Sequence, residues 1–323
     1  IDLVRAGDCP PEIARDTFLQ IARLIISRDE PILELFEKYF ELPDLVNVWT
    51  HMIGTGMVGG KTAGMLLARA ILQKETPEWA EILEPHDSFY IGSDVYYTYL
   101  VENDCWWERQ RQKDPETFLD SNNAVRQRLL NGHFPRYIID RFSDLLDYFR
   151  QSPIIVRSSS LLEDNFGNAF AGKYDSVFCP NQGSKEERLE ALMDAIAEVY
   201  ASTFGPDPIE YRTERGLLDF NEEMGIMIQG VVGTRVGNYF MPTFAGVAFS
   251  NNEFRWSARI NREDGLIRLV PGLGTRAVDR VADYYPILIA PGKPDLRVNV
   301  TPDETVRYSP KDVDIINLET NTF

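Results

Sequence analysis

The chain has 323 residues, with 50 acids against 33 bases and a formal net charge of −17. That balance leaves no broad positive surface, so neither nucleic acid nor an anionic membrane is an expected partner. A hydrophobic share of 44% with 26% charge suits a globular protein with a real core, and at roughly 100–200 residues per domain the length suggests two domains. An anionic small ligand stays open, but a local positive pocket or Mg²⁺ would have to hold it.

Cys9, Cys105 and Cys179 are scattered and form no Cys/His cluster. They predict neither a zinc site nor a disulfide framework, and a reducing, cytoplasmic setting is the simpler reading. No apolar run approaches the roughly 18 residues of a membrane helix, and no signal peptide is seen. The start at Ile1 and the finish at Asn321-Thr322-Phe323, without a closing element, are what a piece cut from a longer protein would show.

In chain order, residues 1–50 read as helical. Ile13, Phe18, Ile21, Leu24 and Ile25 lie near helical spacing, and a second apolar run covers Ile32 to Phe40 before Pro43. This segment is expected to be an amphipathic accessory layer. Gly54-Thr-Gly-Met-Val-Gly-Gly-Lys61 then opens a helix whose Ala63, Leu67, Ala70 and Ile71 share one face. Helix N-termini favour anions, and Lys61 adds a mobile charge there. Residues 86–103 read as a short strand, a Gly-Ser-Asp cap and a tyrosine-bearing helix. Residues 105–150 read as helical with a break at 131–135, and Pro153 admits a strand over Ile154–Val156. Ser184 with Glu187 makes a capping box for the helix carrying Leu189, Leu192, Ile196 and Val199. From Gly225 the texture turns to an antiparallel sheet with few helices; the runs at 225–232, 245–250, 265–270 and Val306-Arg307-Tyr308 read as strands.

The most informative stretch is 154–178, I-I-V-R-S-S-S-L-L-E-D-N-F-G-N-A-F-A-G-K-Y-D-S-V-F. An apolar strand ends in Arg157 and Ser158-Ser159-Ser160. Glu163 and Asp164 follow, then small residues around Gly167, Ala169, Ala171 and Gly172. A guanidinium offers a fixed fork of donors to phosphate oxygens, and small residues let backbone N–H groups approach a ligand. Gly-Gly-Lys alone could be a surface lysine after a turn, and its spacing from Gly54 is not that of a Walker A loop. Gln229, in M-G-I-M-I-Q-G-V-V, is either a structural strand end or part of an adenine-binding edge. Most arginines of the β region read as solvated faces; Pro271-Gly-Leu-Gly-Thr-Arg276, a Gly-rich loop ending in arginine, is the exception. His51, His86 and His133 show no triad or metal spacing.

Together these pieces resemble the ATP-grasp nucleotide-binding domain of the phosphoenolpyruvate synthase and pyruvate, phosphate dikinase family. The carriers are V-G-G-K-T-A-G-M-L-L-A (58–68), F-Y-I-G-S-D-V-Y-Y-T-Y-L (89–100), I-V-R-S-S-S-L-L-E-D-N-F-G-N-A-F-A-G-K-Y-D-S (155–176), I-M-I-Q-G-V-V (226–232), A-G-V-A-F-S (245–250) and V-P-G-L-G (270–274). The resemblance covers about residues 55–310. It implies an α+β fold, ATP-grasp-like, with mixed and antiparallel sheets and an N-terminal helical segment. The expected division is 1–53 accessory helices, 54–153 the N-terminal subdomain, and 154–323 a β-rich part that stops before the metal-ligand strand.

The resemblance also implies chemistry. ATP lies between subdomains, with Lys61 and Arg157 on its phosphates in the catalytic and binding roles. Ser158, Ser159 and the loop of Gly167 and Gly172 close over them, and the strand ending at Gln229 holds adenine. A phosphoryl group passes to a histidine on a separate mobile domain and from there to pyruvate. That is a Mg²⁺-dependent kinase of the dikinase type, of which this stretch alone would be inactive. The same fold could serve a glucan or an antibiotic as acceptor, or act as a non-catalytic nucleotide-binding module, and a homodimer stays open. The phosphohistidine motif is absent. The family's D-x-E with a downstream glutamine is matched only loosely, by Asp312-Val-Asp314, so the metal ligands are unknown.

Overall fold

The computed structural model describes residues 10–84, 87–114, 122–163, 173–219, 223–278 and 284–323. Two compact units divide the chain, Ile1–Gly230 and Val231–Phe323.

The first unit begins with three helices, α1 (Pro11–Ile25), α2 (Glu30–Tyr39) and α3 (Leu42–Thr50), each with proline in its first turn. Proline suits that position because its missing N–H has no intrahelical partner there. Phe18, Ala22 and Ile25 of α1, Leu33 and Phe36 of α2 and Leu45 of α3 are buried. They form one cluster with Val58, Ala63, Leu66, Tyr90 and Met227. The N-terminal helices therefore share a core with the elements that follow.

Those elements are β1 (Met52–Ile53), α4 (Gly60–Glu75), α5 (Trp79–Ile82), β2 (Ser88–Ile91), α6 (Ser93–Glu102), α7 (Trp106–Arg111), α8 (Asn122–Leu130), α9 (Arg136–Phe149), β3 (Ile154–Ser160), β4 (Ser176–Cys179), α10 (Lys185–Ser202), α11 (Pro206–Glu214) and β5 (Met224–Gly230). The helical break at 131–135 falls between α8 and α9 as its composition predicts. The capping box at α10 is present: Glu187 N–H donates to Ser184 Oγ at 3.2 Å, and Ser184 N–H to Glu187 Oε2 at 2.8 Å.

Five strands form a mixed sheet in the order β1-β2-β5-β3-β4, parallel only between β1 and β2. β5 is its central strand, with Ile228 opposite Phe89 on one side and Val156 on the other. The run from Gly225 thus pairs antiparallel, as its texture predicts, but β5 does so with β2 and β3 and not with the strands that follow it. Ile226 and Ile228 are buried in a cluster with Tyr99, Phe142, Ile196 and Tyr200. Met227 is buried on the opposite side, with the N-terminal helices. A strand covered on both faces carries an unbroken apolar run, and that continuity hid its place in the sheet.

β3 also runs longer than Ile154–Val156. Ser158, Ser159 and Ser160 pair with Ile226, Gly225 and Met224, and all three are fully buried. Serine carries no strong strand signal, so the extension depends on β5 and on local partners for each hydroxyl.

The second unit holds two three-stranded antiparallel sheets. β8 (Phe244–Phe249), β9 (Leu266–Pro271) and β10 (Ile287–Ile289) have the order β10-β9-β8. β6 (Thr234–Val236), β7 (Tyr239–Met241) and β11 (Ile316–Asn317) have the order β11-β7-β6. Two short helices, α12 (Thr275–Val278) and α13 (Pro302–Arg307), accompany them. The strand expected at Val306-Arg307-Tyr308 is instead the end of α13. Thr301 caps that helix, accepting from Glu304 N–H at 3.2 Å, while Glu304 accepts from Thr301 N–H at 3.0 Å. The reciprocal cap fixes the first turn and outweighs the β preference of Val306. Among the described residues no helix is long and apolar enough to cross a membrane, and Cys105 and Cys179 are free, buried thiols.

Candidate functional site: a helix N-terminus stapled to a serine strand

α4 begins where the chain turns through Gly59, whose φ is +84°. A Cβ there would lie 1.5 Å from the Ser159 carbonyl oxygen, and one at Gly60 would lie 1.8 Å from the Glu163 carbonyl oxygen. Only glycine lets the helix start this close to the 159–163 backbone. The close approach brings two polar groups of α4 onto β3. Thr62 N–H donates to Ser159 Oγ at 3.0 Å, and the Ser159 hydroxyl donates to Thr62 Oγ1 at 3.0 Å. Gly59 has no side chain to cap the helix. Ser159, from another element, supplies the acceptor that an N-cap residue normally provides.

Lys61 follows from the same contact. Its ammonium lies 2.8 Å from Glu163 Oε1 and donates to Ser158 Oγ at 3.0 Å. Ser158 in turn donates to Glu163 Oε1 at 3.1 Å, and Ser160 N–H to Glu163 Oε2 at 3.0 Å. The Glu163 side chain is 1% exposed and that of Lys61 16%. Burial pushes the Glu163 carboxyl above the ordinary carboxylate range, and the Lys61 charge, then the hydrogen bonds, pull it back.

Arg157, half-buried one residue before Ser158, donates from Nη1 to Gln229 Oε1 at 3.2 Å. Gln229 is anchored in turn, donating from Nε2 to Ser88 Oγ at 3.1 Å and toward Met65 Sδ at 3.3 Å. Its amide is thereby oriented with the oxygen toward the guanidinium. The structure thus gathers Lys61, Ser158 and Ser159 at the start of α4, and joins Arg157 to Gln229 along β3 and β5. Gly167 and Gly172 lie outside the described residues.

Glu163 and Thr62 complete the cluster, and no role was read for either from the sequence. Glu163 stands five residues after Ser158, in the acidic pair of the signature; that spacing was its only signal. Asp94 serves a role other than the one its position suggests. The Gly-Ser-Asp segment was expected to cap α6, yet the N-cap is Gly92 with no side-chain bond. Asp94 Oδ1 instead accepts from Thr55 N–H at 2.9 Å and Gly56 N–H at 2.7 Å, and Ser93 Oγ accepts from Met57 N–H at 3.1 Å. Both side chains hold the glycine turn that leads into α4. The charge of a carboxylate is better used on two loop N–H donors that have no ladder partner.

In the second unit, the Gly-rich loop ending in Arg276 meets the Asp-Val-Asp segment. Arg276 Nε lies 2.9 Å from Asp314 Oδ1, its Nη1 3.6 Å from Asp312 Oδ2, and Thr275 Oγ1 donates to Asp314 Oδ2 at 2.5 Å. Mg²⁺ needs free, hard oxygen ligands. Asp314 is taken by the guanidinium and the Thr275 hydroxyl, while Asp312 is exposed and meets Arg276 only at 3.6 Å, so the pair as it stands is not a free oxygen set for the metal. Among the described residues no group of three or more His, Cys, Asp or Glu side chains could hold one.

A mixed sheet flanked by helices, with a lysine at a helix N-terminus against an arginine-bearing strand, and antiparallel β-rich sequence after it, defines an ATP-grasp-like nucleotide-binding fold. The family described as pyruvate phosphate dikinase, AMP/ATP-binding domain, matches residues 55–322, and the chain belongs to it. It is an ATP-binding domain of the pyruvate phosphate dikinase and phosphoenolpyruvate synthase type, from a family of phosphotransferases. Residues 10–54, including α1 to α3, fall outside the match. No curated protein matches the chain.

Proposed function

We propose that the chain serves a phosphoenolpyruvate synthase-like phosphotransferase, in which a phosphoryl group of ATP passes to a histidine on a separate domain and then to pyruvate. On this reading Lys61 and Arg157 meet the phosphates, Ser158 and Ser159 lie beside them, the 165–172 loop closes over, and adenine lies along the strand ending at Gln229. The observation that carries it is the fixed position of Lys61. The ammonium sits at a helix N-terminus, held by Glu163 and Ser158, with Arg157 next in line on the same strand. A helix N-terminus and two fixed cations stabilise a transferring phosphoryl group by charge and position, which is most of what phosphoryl transfer requires. Mg²⁺ belongs to this reading as the counter-ion of the nucleotide.

The test is the unfolding midpoint with and without Mg-ATP or a non-hydrolysable analogue at millimolar concentration. A ligand at a hundred times its Kd stabilises by about 2.7 kcal/mol, so the midpoint rises. Arg157→Ala should remove most of that rise and leave the fold intact. No shift with the native chain would sink the nucleotide reading; a normal shift in Arg157→Ala would make the arginine structural.

A second reading, a module that binds nucleotide without catalysis, is favoured by the engagement of Asp314 with Arg276 and Thr275. Pyruvate-dependent consumption of ATP by the intact protein separates the two. Consumption supports the phosphotransferase; nucleotide binding without it supports the module.

A further inference from the structure

A cavity of about 660 Å³ lies in the first unit between the α1–α2 hairpin and α4. That volume is within the roughly 300–1,000 Å³ range of small-molecule sites. One wall comes from the helices outside the family match, through Ile26, Ile32, Leu35 and Phe36; the other comes from α4 and the 161–163 turn, through Ala63 and Leu161. The lining is therefore apolar in bulk, and its charges are mostly of one sign. Among the described residues, four acids border the cavity, Asp29, Glu163, Asp219 and Glu223, against the single cation Arg28. Arg28 reaches Glu223 only at 3.8 Å, and Lys61 is committed to Glu163 at 2.8 Å. Asp29 and Asp219 have no ion-pair partner among the described residues.

We propose that this cavity is a binding site for a small organic cation, an apolar body carrying a protonated amine. The apolar walls remove the body from water, and the acids complement the ammonium. Glu163 offers the buried end of the site. Among the described residues its Oε1 accepts from Lys61 and Ser158 and its Oε2 from Ser160 N–H alone, and a carboxylate oxygen can accept more than one donor. An anion would face four carboxylates, and a neutral body would leave the acids without a partner. The cavity shares Gly59, Gly60 and Glu163 with the start of α4, but its apolar walls of Ile26, Ile32, Leu35, Phe36 and Leu161 have no role on the phosphates in the proposed function.

The probe is 4-phenylbutylamine, with 4-phenylbutanol and 4-phenylbutyrate as its neutral and anionic counterparts, each titrated calorimetrically into the intact chain. The amine should bind, the alcohol about tenfold more weakly for want of a charge-assisted bond, and the carboxylate not at all. Leu35→Trp places an indole in the cavity from α2 and should abolish amine binding in a chain that circular dichroism shows to be folded. Asp219→Asn, at an exposed position that should tolerate the change, should weaken the amine and leave the alcohol unchanged; it decides the matter should the tryptophan variant not fold. Absence of amine binding overturns the proposal. So does equal binding of amine and carboxylate, or unaltered amine binding in folded Leu35→Trp or in Asp219→Asn.

Discussion

Lys61 and Glu163 share a 2.8 Å contact with almost no solvent around the carboxylate. Breaking such a pair from one side leaves a buried charge without compensation, at a cost of about 3–5 kcal/mol. The cost of Lys61→Met should depend on pH, and the sign follows from Glu163. Burial already holds its carboxyl above the ordinary range, and Lys61 is the largest influence pulling it down. Without Lys61 the folded-state value rises further. A raised folded value favours the folded state in acid, and that advantage is lost as pH climbs through it. From mildly alkaline to mildly acidic pH the penalty should therefore shrink, because Glu163 in the variant takes up a proton more readily than in the native chain. Denaturant midpoints of the native chain and Lys61→Met across that pH range check this. A pH-independent difference would mean that packing, not charge, accounts for the pair.

At the scale of elements, α4 owes its start to β3. Thr62 is fully buried, and its N–H is one of the helix's unpartnered first donors except for Ser159 Oγ. Ser159→Ala should therefore destabilise by about 1–3 kcal/mol, the cost of a buried donor left without an acceptor. Urea unfolding measures it; a loss near zero would show that Thr62 finds another partner. The same contact explains what the sequence could and could not reveal. Helices α1, α2, α4, α9 and α10 follow from apolar spacing, proline in the first turn, or the Ser184–Glu187 box, all of which are local. Lys61 and the 157–159 run were legible as chemistry because their residue types and order are unusual. Their junction was not, because Thr62 and Ser159 are 97 residues apart and the glycines that allow the approach look like a flexible turn. Glu163 was visible as an acid, but its role depends on the Lys61 ammonium reaching back to it. The box at Thr301–Glu304 was equally local, but the β-type run Val306-Arg307-Tyr308 masked it.

For the whole molecule, the two buried clusters of the chain decide which part can stand alone. One gathers the residues packed on α6, α8, α9 and α10, the other those packed on α1 to α4, and both end within β5, at Ile228 and Met227. Among the described residues none after Gly230 belongs to either. All five strands of the mixed sheet, together with α1 to α11, lie in Ile1–Gly230. Hydrophobic burial is the main favourable term in folding, so a unit that keeps its whole core keeps most of its stability. A chain ending at Gly230 should therefore unfold in one cooperative transition, with near-ultraviolet dichroism from Tyr96, Tyr99 and Tyr200 retained. Ending instead at Glu223 removes β5, the strand between β2 and β3, and splits the sheet. That shorter chain should lose the transition while still showing helical signal. If the chain ending at Gly230 also melts without cooperativity, residues 231–323 are needed to complete a core that now looks self-contained. If both melt alike, β5 does not join the two halves of the sheet in the way its pairing requires.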